Sequence, residues 1–228
     1  MDLNNAVAVV TGANRGLGRH LAAGLVERGA KVYAAARNPE TVDLPGVIPL
    51  QLDVTDEESI KAAARTASDA TLLVNNAGIS TSAPLISGNI DDVRREIDVN
   101  FYGPLAVTRA FAPVIESNSG GTVLNVLSVL SWLHPAALGS YAAAKAAAWA
   151  MTDAAREELA PRGITVSALH VAYMDTDMAA DVPAEQKIDP ADVAAQALDG
   201  IEKDLVEILA DDTTRYIKQN LAIAPNSN

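Results

Sequence analysis

The chain has 228 residues, 49% of them hydrophobic and 20% charged, with a formal net charge of −12 and no cysteine. This length fits one large α/β unit and excludes a nucleotide-binding domain followed by a separate substrate domain, which takes roughly 300 residues. The acidic balance argues against nucleic acids and anionic membranes as partners. The missing thiols exclude disulfides, thiolate metal sites and a Cys nucleophile.

The segment Met1-Asp2-Leu3-Asn4-Asn5 lacks the basic and apolar parts of a signal peptide. No apolar run reaches about 18 residues free of charge, so no membrane span and a cytoplasmic location are expected. Strand-like runs at 6–10, 31–36, 47–52, 71–74, 122–127, 165–169 and 206–210 alternate with helical stretches at 16–28, 56–66, 90–116, 141–160 and 190–203. The strands are mostly continuous apolar segments, as in a parallel sheet covered on both faces. The alternation implies one α/β domain over 1–228, a doubly wound parallel sheet of about seven strands that takes ligands beyond its carboxyl edge. Thr55-Asp56-Glu57-Glu58 reads as a capping box, Thr55 being the N-cap and Glu58 reaching back. The stretch 141–160 is dominated by alanine, interrupted by Trp149 and Met151, and suits packing on the sheet or in a subunit interface. A polar, helix-like tail follows the last strand.

The first strand runs into Thr11-Gly12-Ala13-Asn14-Arg15-Gly16-Leu17-Gly18. Glycines at Gly12, Gly16 and Gly18 allow a tight turn and close backbone approach, and the next helix aims its N-terminal N–H groups at a pyrophosphate. The second strand ends Ala34-Ala35-Ala36-Arg37-Asn38, without the carboxylate that usually holds a free ribose 2′-hydroxyl. Arg15 and Arg37 can clamp a 2′-phosphate instead, because a guanidinium fork matches phosphate geometry. The cofactor expected is NADP(H) in preference to NAD(H).

Tyr141-Ala142-Ala143-Ala144-Lys145 sets a Tyr and a Lys at i and i+4, on one helix face. Ser128 closes the fifth strand, Asn75-Asn76-Ala77-Gly78 follows the fourth, and Asn100 lies within the long helical stretch. With Asp53 and the glycine turn, these residues resemble the short-chain dehydrogenase/reductase family in order and approximate spacing, from residue 6 to about 176. The resemblance implies a Rossmann-like fold and a catalytic set of Asn100, Ser128, Tyr141 and Lys145. Tyr141 is then the general acid. A free Tyr titrates near pH 10, so work near neutrality asks for a shift of roughly three units, about 4 kcal/mol, which the Lys145 cation favours. Ser128 polarises the substrate oxygen, and Asn100 organises water between Lys145 and solvent. Cofactor contacts are implied at Gly12, Asn14, Arg15, Gly16, Leu17, Gly18, Arg37, Asn38, Asp53, Val54, Asn76, Ala77, Gly78, Tyr141, Lys145 and Thr176, with Asp53 at the adenine.

The chain departs from the family pattern after the sixth strand, where Val171-Ala172 replace Pro-Gly and only a short stretch separates Met178 from Asp189. A short lid implies an open site, with Ser80, Leu85, Trp132, His134, Leu138, Tyr173 and Met174 as candidate wall residues. His20, His134 and His170 show no metal spacing, so no metal is expected. Asp91-Asp92 and Asp211-Asp212 read as solvated helix ends. The expected activity is NADPH-dependent reduction of a ketone or aldehyde, reversible as an alcohol dehydrogenase. Its partners are a small, apolar or aromatic carbonyl compound and further copies of the chain in a homodimer or homotetramer. The competing reading is a catalytically silent NADP(H)-binding sensor or scaffold.

Overall fold

The computed structural model describes residues 1–221. Its sheet is built from β1 Val7–Thr11, β2 Lys31–Ala36, β3 Ile48–Gln51, β4 Leu72–Asn75, β5 Gly121–Val126, β6 Ile164–His170 and β7 Glu207–Leu209. All pair in parallel, in the order β3-β2-β1-β4-β5-β6-β7. The expected doubly wound sheet is therefore present. The helices are α1 Gly16–Glu27, α2 Glu57–Thr66, α3 Ile90–Ile97, α4 Gly103–Ser117, α5 Gly139–Leu159, α6 Pro190–Glu202 and α7 Asp212–Gln219.

Apolar residues recurring every three or four positions decide which helix face the sheet covers. Leu17, Leu21 and Leu25 of α1 pack with Val193, Ala197 and Ile201 of α6 on one side of the sheet. Ile60 of α2, Val107, Phe111 and Ile115 of α4 and Leu159 of α5 cover the other. Phe111 is fully buried, and truncating such a side chain to Ala costs about 3–5 kcal/mol. β1 pairs with β2 on one side and β4 on the other. The winding reverses at that junction, and the crevice outside its carboxyl ends is where such sheets hold ligands.

Two helix expectations are corrected. The stretch 90–116 is interrupted by a π turn, Asp98–Tyr102, between α3 and α4. Pro104 has no N–H to offer the Asn100 carbonyl one turn back, and the Gly103 N–H reaches the Asp98 carbonyl instead, so the backbone widens there. The N-cap of α2 is Asp56, whose carboxylate accepts the N–H groups of Glu58 and Ser59. The Thr55–Glu58 capping box does not form, because the Asp53 carboxylate takes both the N–H and the hydroxyl of Thr55 in an Asx turn. α5 starts at Gly139 and so holds Tyr141 in its first turn. The polar tail is helical through Gln219, and its last residues, 222–228, lie outside the described part.

Candidate active site

The glycine turn is tied down from three directions. The Ala13 N–H donates to the Ala35 carbonyl of β2. The Thr11 hydroxyl accepts the N–H groups of Asn76 and Ala77. The Asn76 amide donates to the carbonyls of Thr11 at 2.8 Å and Gly12 at 3.3 Å. Gly12 and Gly16 have φ of +66° and +52°, left-handed values that favour glycine. A side chain on Gly18 would collide with the Gly12 carbonyl and the Asn76 amide. The Asn76 side chain is thus spent on shaping the turn.

α1 opens without a side-chain cap and with no acid in its first turn. Its N-terminal N–H groups and positive dipole end suit a diphosphate. Arg15 is at the N-cap, largely exposed, with Nη1 3.1 Å from Asp177 Oδ2. Thr176 lies over the same turn, its methyl 3.4 Å from the position a Cβ on Gly16 would take. Asn14 donates to the Thr41 hydroxyl. The Leu17 side chain is buried in the core.

Arg37, beyond β2, is exposed and has no hydrogen-bond or ion-pair partner among the described residues. The neighbouring Asn38 caps a short turn by accepting the Glu40 N–H. No carboxylate stands at residues 34–38. Asp53 holds Thr55, and Val54 packs against the side of Gly103. These residues fit a dinucleotide: an uncapped helix start, glycine turns and, beyond β2, an exposed guanidinium without a partner among the described residues.

At the carboxyl edge of β5, Ser128 is buried and its hydroxyl accepts the Leu130 N–H at 3.1 Å. Tyr141 and Lys145 share a face of α5, with Lys145 Nζ 5.7 Å from the phenol ring centroid. Lys145 is buried and donates to the Val126 carbonyl at 2.8 Å. Burial pushes the Tyr141 phenol up to about 12; a hydrogen bond with Ser128 works against this, and the charge of Glu96 adds to it. Burial pulls Lys145 down to about 8. Asn100, within the π turn, clasps Ile79, its Oδ1 accepting the N–H and its Nδ2 donating to the carbonyl at 2.9 Å. Asn100 and Lys145 also line a cavity of about 10 Å³ with Asn75 and Asn125, about the size of one water molecule. The Oδ1 of Asn75 is buried without a partner among the described residues.

Several wall candidates turn out to face inward. Trp132 is only 8% exposed, stacked on His170 with ring centroids 4.0 Å apart. Leu138 packs onto the same cluster, and Met174 packs against the core. Each has an apolar pocket to fill, which sequence adjacency to the edge does not show. Leu85 and Tyr173 remain exposed at the rim with His134, and Ser80 is half-buried. Leu85 lies against Gly139, at the start of α5.

The buried supports of the site were not singled out by motif. The His170 Nδ1 is 3.2 Å from the Ser128 carbonyl, and burial pulls the imidazole down to about 4. Asn125 joins Asn75 to Thr152 through hydrogen bonds of 2.8 and 2.9 Å; the one amide in a mostly apolar strand was the available signal. Asp211 is more than a solvated helix end, since it caps α7 and accepts the Ala172 N–H. No group of three or more potential metal ligands exists among the described residues, and no helix among them is long and apolar enough to cross a membrane.

Residues 6–187 match the short chain dehydrogenase family. The chain belongs to that family. Its relatives are oxidoreductases acting between alcohol and carbonyl groups. It is 36% identical over 184 residues to the NADPH-dependent 1-acyldihydroxyacetone phosphate reductase of Schizosaccharomyces pombe, covering 77% of this chain but 62% of that relative's length. It is 34% identical over 218 residues to a 3-oxoacyl-[acyl-carrier-protein] reductase of Vibrio harveyi, covering 86% and 89% of the two. A short chain dehydrogenase from Burkholderia cenocepacia J2315, solved in complex with NADP, superposes with a TM-score of 0.94 at 39% identity, over 98% of this chain and 95% of that one.

Proposed function

We propose that the chain is a single-domain, NADPH-dependent reductase that converts ketones or aldehydes to alcohols and runs reversibly as an alcohol dehydrogenase. The observation that carries this reading is the convergence of Ser128, Tyr141 and Lys145 at the carboxyl edge, beside the Ala77-Gly78 loop that lies against Gly12. The glycine turn and Thr176 would hold the cofactor, with Arg15 and Arg37 at its 2′-phosphate; when bound, NADPH supplies the hydride and no proton. The NADP complex of the Burkholderia protein supports this preference.

The chain's own residues do the proton work. The Ser128 hydroxyl orients and polarises the carbonyl oxygen, and the Tyr141 hydroxyl donates its proton to that oxygen. Lys145, one turn along α5, favours the tyrosinate left behind. The cavity beside Lys145 and Asn100 gives the proton path a water-sized station.

The rim points to uncharged substrates. Leu85, Tyr173 and Met178 are exposed there, and the segment from Tyr173 to Asp189 carries Asp175, Asp177, Asp181, Glu185 and Asp189, with Lys187 paired to Asp175 and Arg15 to Asp177. Such a field disfavours phosphorylated compounds and suits a neutral apolar or aromatic carbonyl. The alanine-rich α5 supports assembly as a homodimer or homotetramer. The test is the loss of NADPH absorbance at about 340 nm with a panel of aryl ketones, diketones, quinones and aldehydes. Turnover is expected; tight NADPH binding without turnover of any of them overturns the reading.

A further inference from the structure

Glu96, in the last turn of α3, is completely buried, yet it forms no ion pair among the described residues. Its carboxylate accepts from three neutral donors. One oxygen takes the N–H and the hydroxyl of Thr81, and the other takes the hydroxyl of Ser140. Burying an unpaired carboxylate costs folding free energy, and three hydrogen bonds offset that only in part. Packing alone gives no reason for an acid at this position.

The partners of Glu96 all belong to the candidate site. Ser140 directly precedes Tyr141 in the first turn of α5. Thr81 lies two residues after Ile79, which is clasped by Asn100, one turn beyond Glu96. Glu96 and Asn100 therefore grip the same loop from one side of the α3–π segment, and Glu96 adds a side-chain link to α5 beside the bond from the Ser140 N–H to the Ala83 carbonyl. We propose that Glu96 is a positioning residue of this reductase site: it clamps Thr81 to Ser140, fixes the first turn of α5 that carries Tyr141, and puts an acidic side chain behind the phenol.

This inference rests on the proposed reaction, in which Tyr141 gives its proton to the carbonyl oxygen as the carbonyl carbon receives hydride from NADPH. The groups facing the phenol are Lys145 from its own helix, Ser128 from the end of β5 and Glu96 from α3. His170 of β6 reaches Ser128 only through its backbone carbonyl, and its low pKa leaves it neutral near pH 7. Burial raises the phenol most, Ser128 works against that and Glu96 adds to it, so a neutral amide in place of Glu96 should lower the pH at which the acid is lost.

The first experiment needs neither cofactor nor substrate. Tyrosinate absorbance is titrated in the wild type against Tyr141→Phe, and in Glu96→Gln against the double variant, so that each difference isolates one phenol. Tyr141 is expected to ionise at a pH lower by about half a unit or more in Glu96→Gln, a threefold or larger change in tyrosinate fraction. If Glu96→Gln does not fold, Glu96→Asp, which draws the charge back by one methylene, is expected to move the ionisation in the same direction by less. The second experiment is the pH profile of turnover, where reduction should fall, and oxidation should rise, at lower pH in the variant by the same amount. A reduced melting temperature with an unmoved phenol titration overturns the proposal and leaves Glu96 a structural clamp. A shifted titration in a protein that reduces no carbonyl retains the electrostatic coupling and overturns the proposed function instead.

Discussion

The carboxylate of Asp211 accepts the backbone N–H of Ala172 at 2.8 Å while also capping α7 through Thr214. Ala172 stands on the segment leading to Thr176 and the glycine turn. One side chain thus joins the C-terminal helix to the loop expected beside the nicotinamide. A hydrogen bond to a charged group is worth roughly 1.5–3 kcal/mol, and an N-cap about 1 kcal/mol. Asp211→Ala should weaken NADPH binding by about tenfold and lower the melting temperature. Asp211→Asn, which still caps and accepts, should recover most of both. Fluorescence titration with NADPH and thermal melts measure the two effects; unchanged affinity in Asp211→Ala would mean that the tie serves α7 only.

Tyr141→Phe removes the proposed proton donor and leaves the ring. Turnover should fall by about a thousandfold or more, with NADPH affinity nearly intact, in steady-state assays alongside equilibrium titration. Substantial remaining activity would place the acid elsewhere.

Arg37 has no protein partner among the described residues, so its substitution should be nearly silent for folding. Arg37→Ala should weaken NADPH about tenfold or more while NADH changes little, because only the former presents a 2′-phosphate. Equal losses for both cofactors would remove Arg37 from cofactor selection.

His170 makes stability depend on pH. Its folded pKa of about 4 lies below the ordinary 6.5, so the unfolded chain binds the proton first. The stability is complete above pH 6.5 and declines as pH falls towards 4, by about 3 kcal/mol in total. Urea unfolding at several pH values measures this slope. His170→Gln should flatten it between pH 6.5 and 5, above the range in which most carboxylates titrate; an equally steep decline in the variant would assign the slope to other groups.

The sheet, the glycine turn and the Tyr141–Lys145 pair were legible in the sequence because each depends on local spacing. Apolar runs mark strands, glycines mark a turn, and an i, i+4 pair shares a helix face whatever surrounds it. The supports beneath the site were not legible in this way. Glu96 and Ser140 meet only after α3 packs beside α5, and Asp211 meets Ala172 only after β7 joins β6. The π turn arises because Pro104 denies a donor to Asn100, a conflict visible in the residues but resolvable in several ways until the backbone is placed. Trp132 misled for the opposite reason: an aromatic near the catalytic edge looks like a pocket wall, whereas a stacking partner in a distant strand draws it inward.

That stacking has a practical consequence. The two tryptophans of the chain, Trp132 and Trp149, form one edge-to-face pair with centroids 5.9 Å apart. Lys218 of α7 lies over both rings, 4.7 and 5.5 Å from their centroids, and His170 connects the pair to the Ser128 carbonyl. Intrinsic tryptophan emission therefore comes from a single place in the molecule, between the C-terminal helix and the serine loop. The protein carries its own optical probe of whether α7 is seated, readable without a label and during turnover.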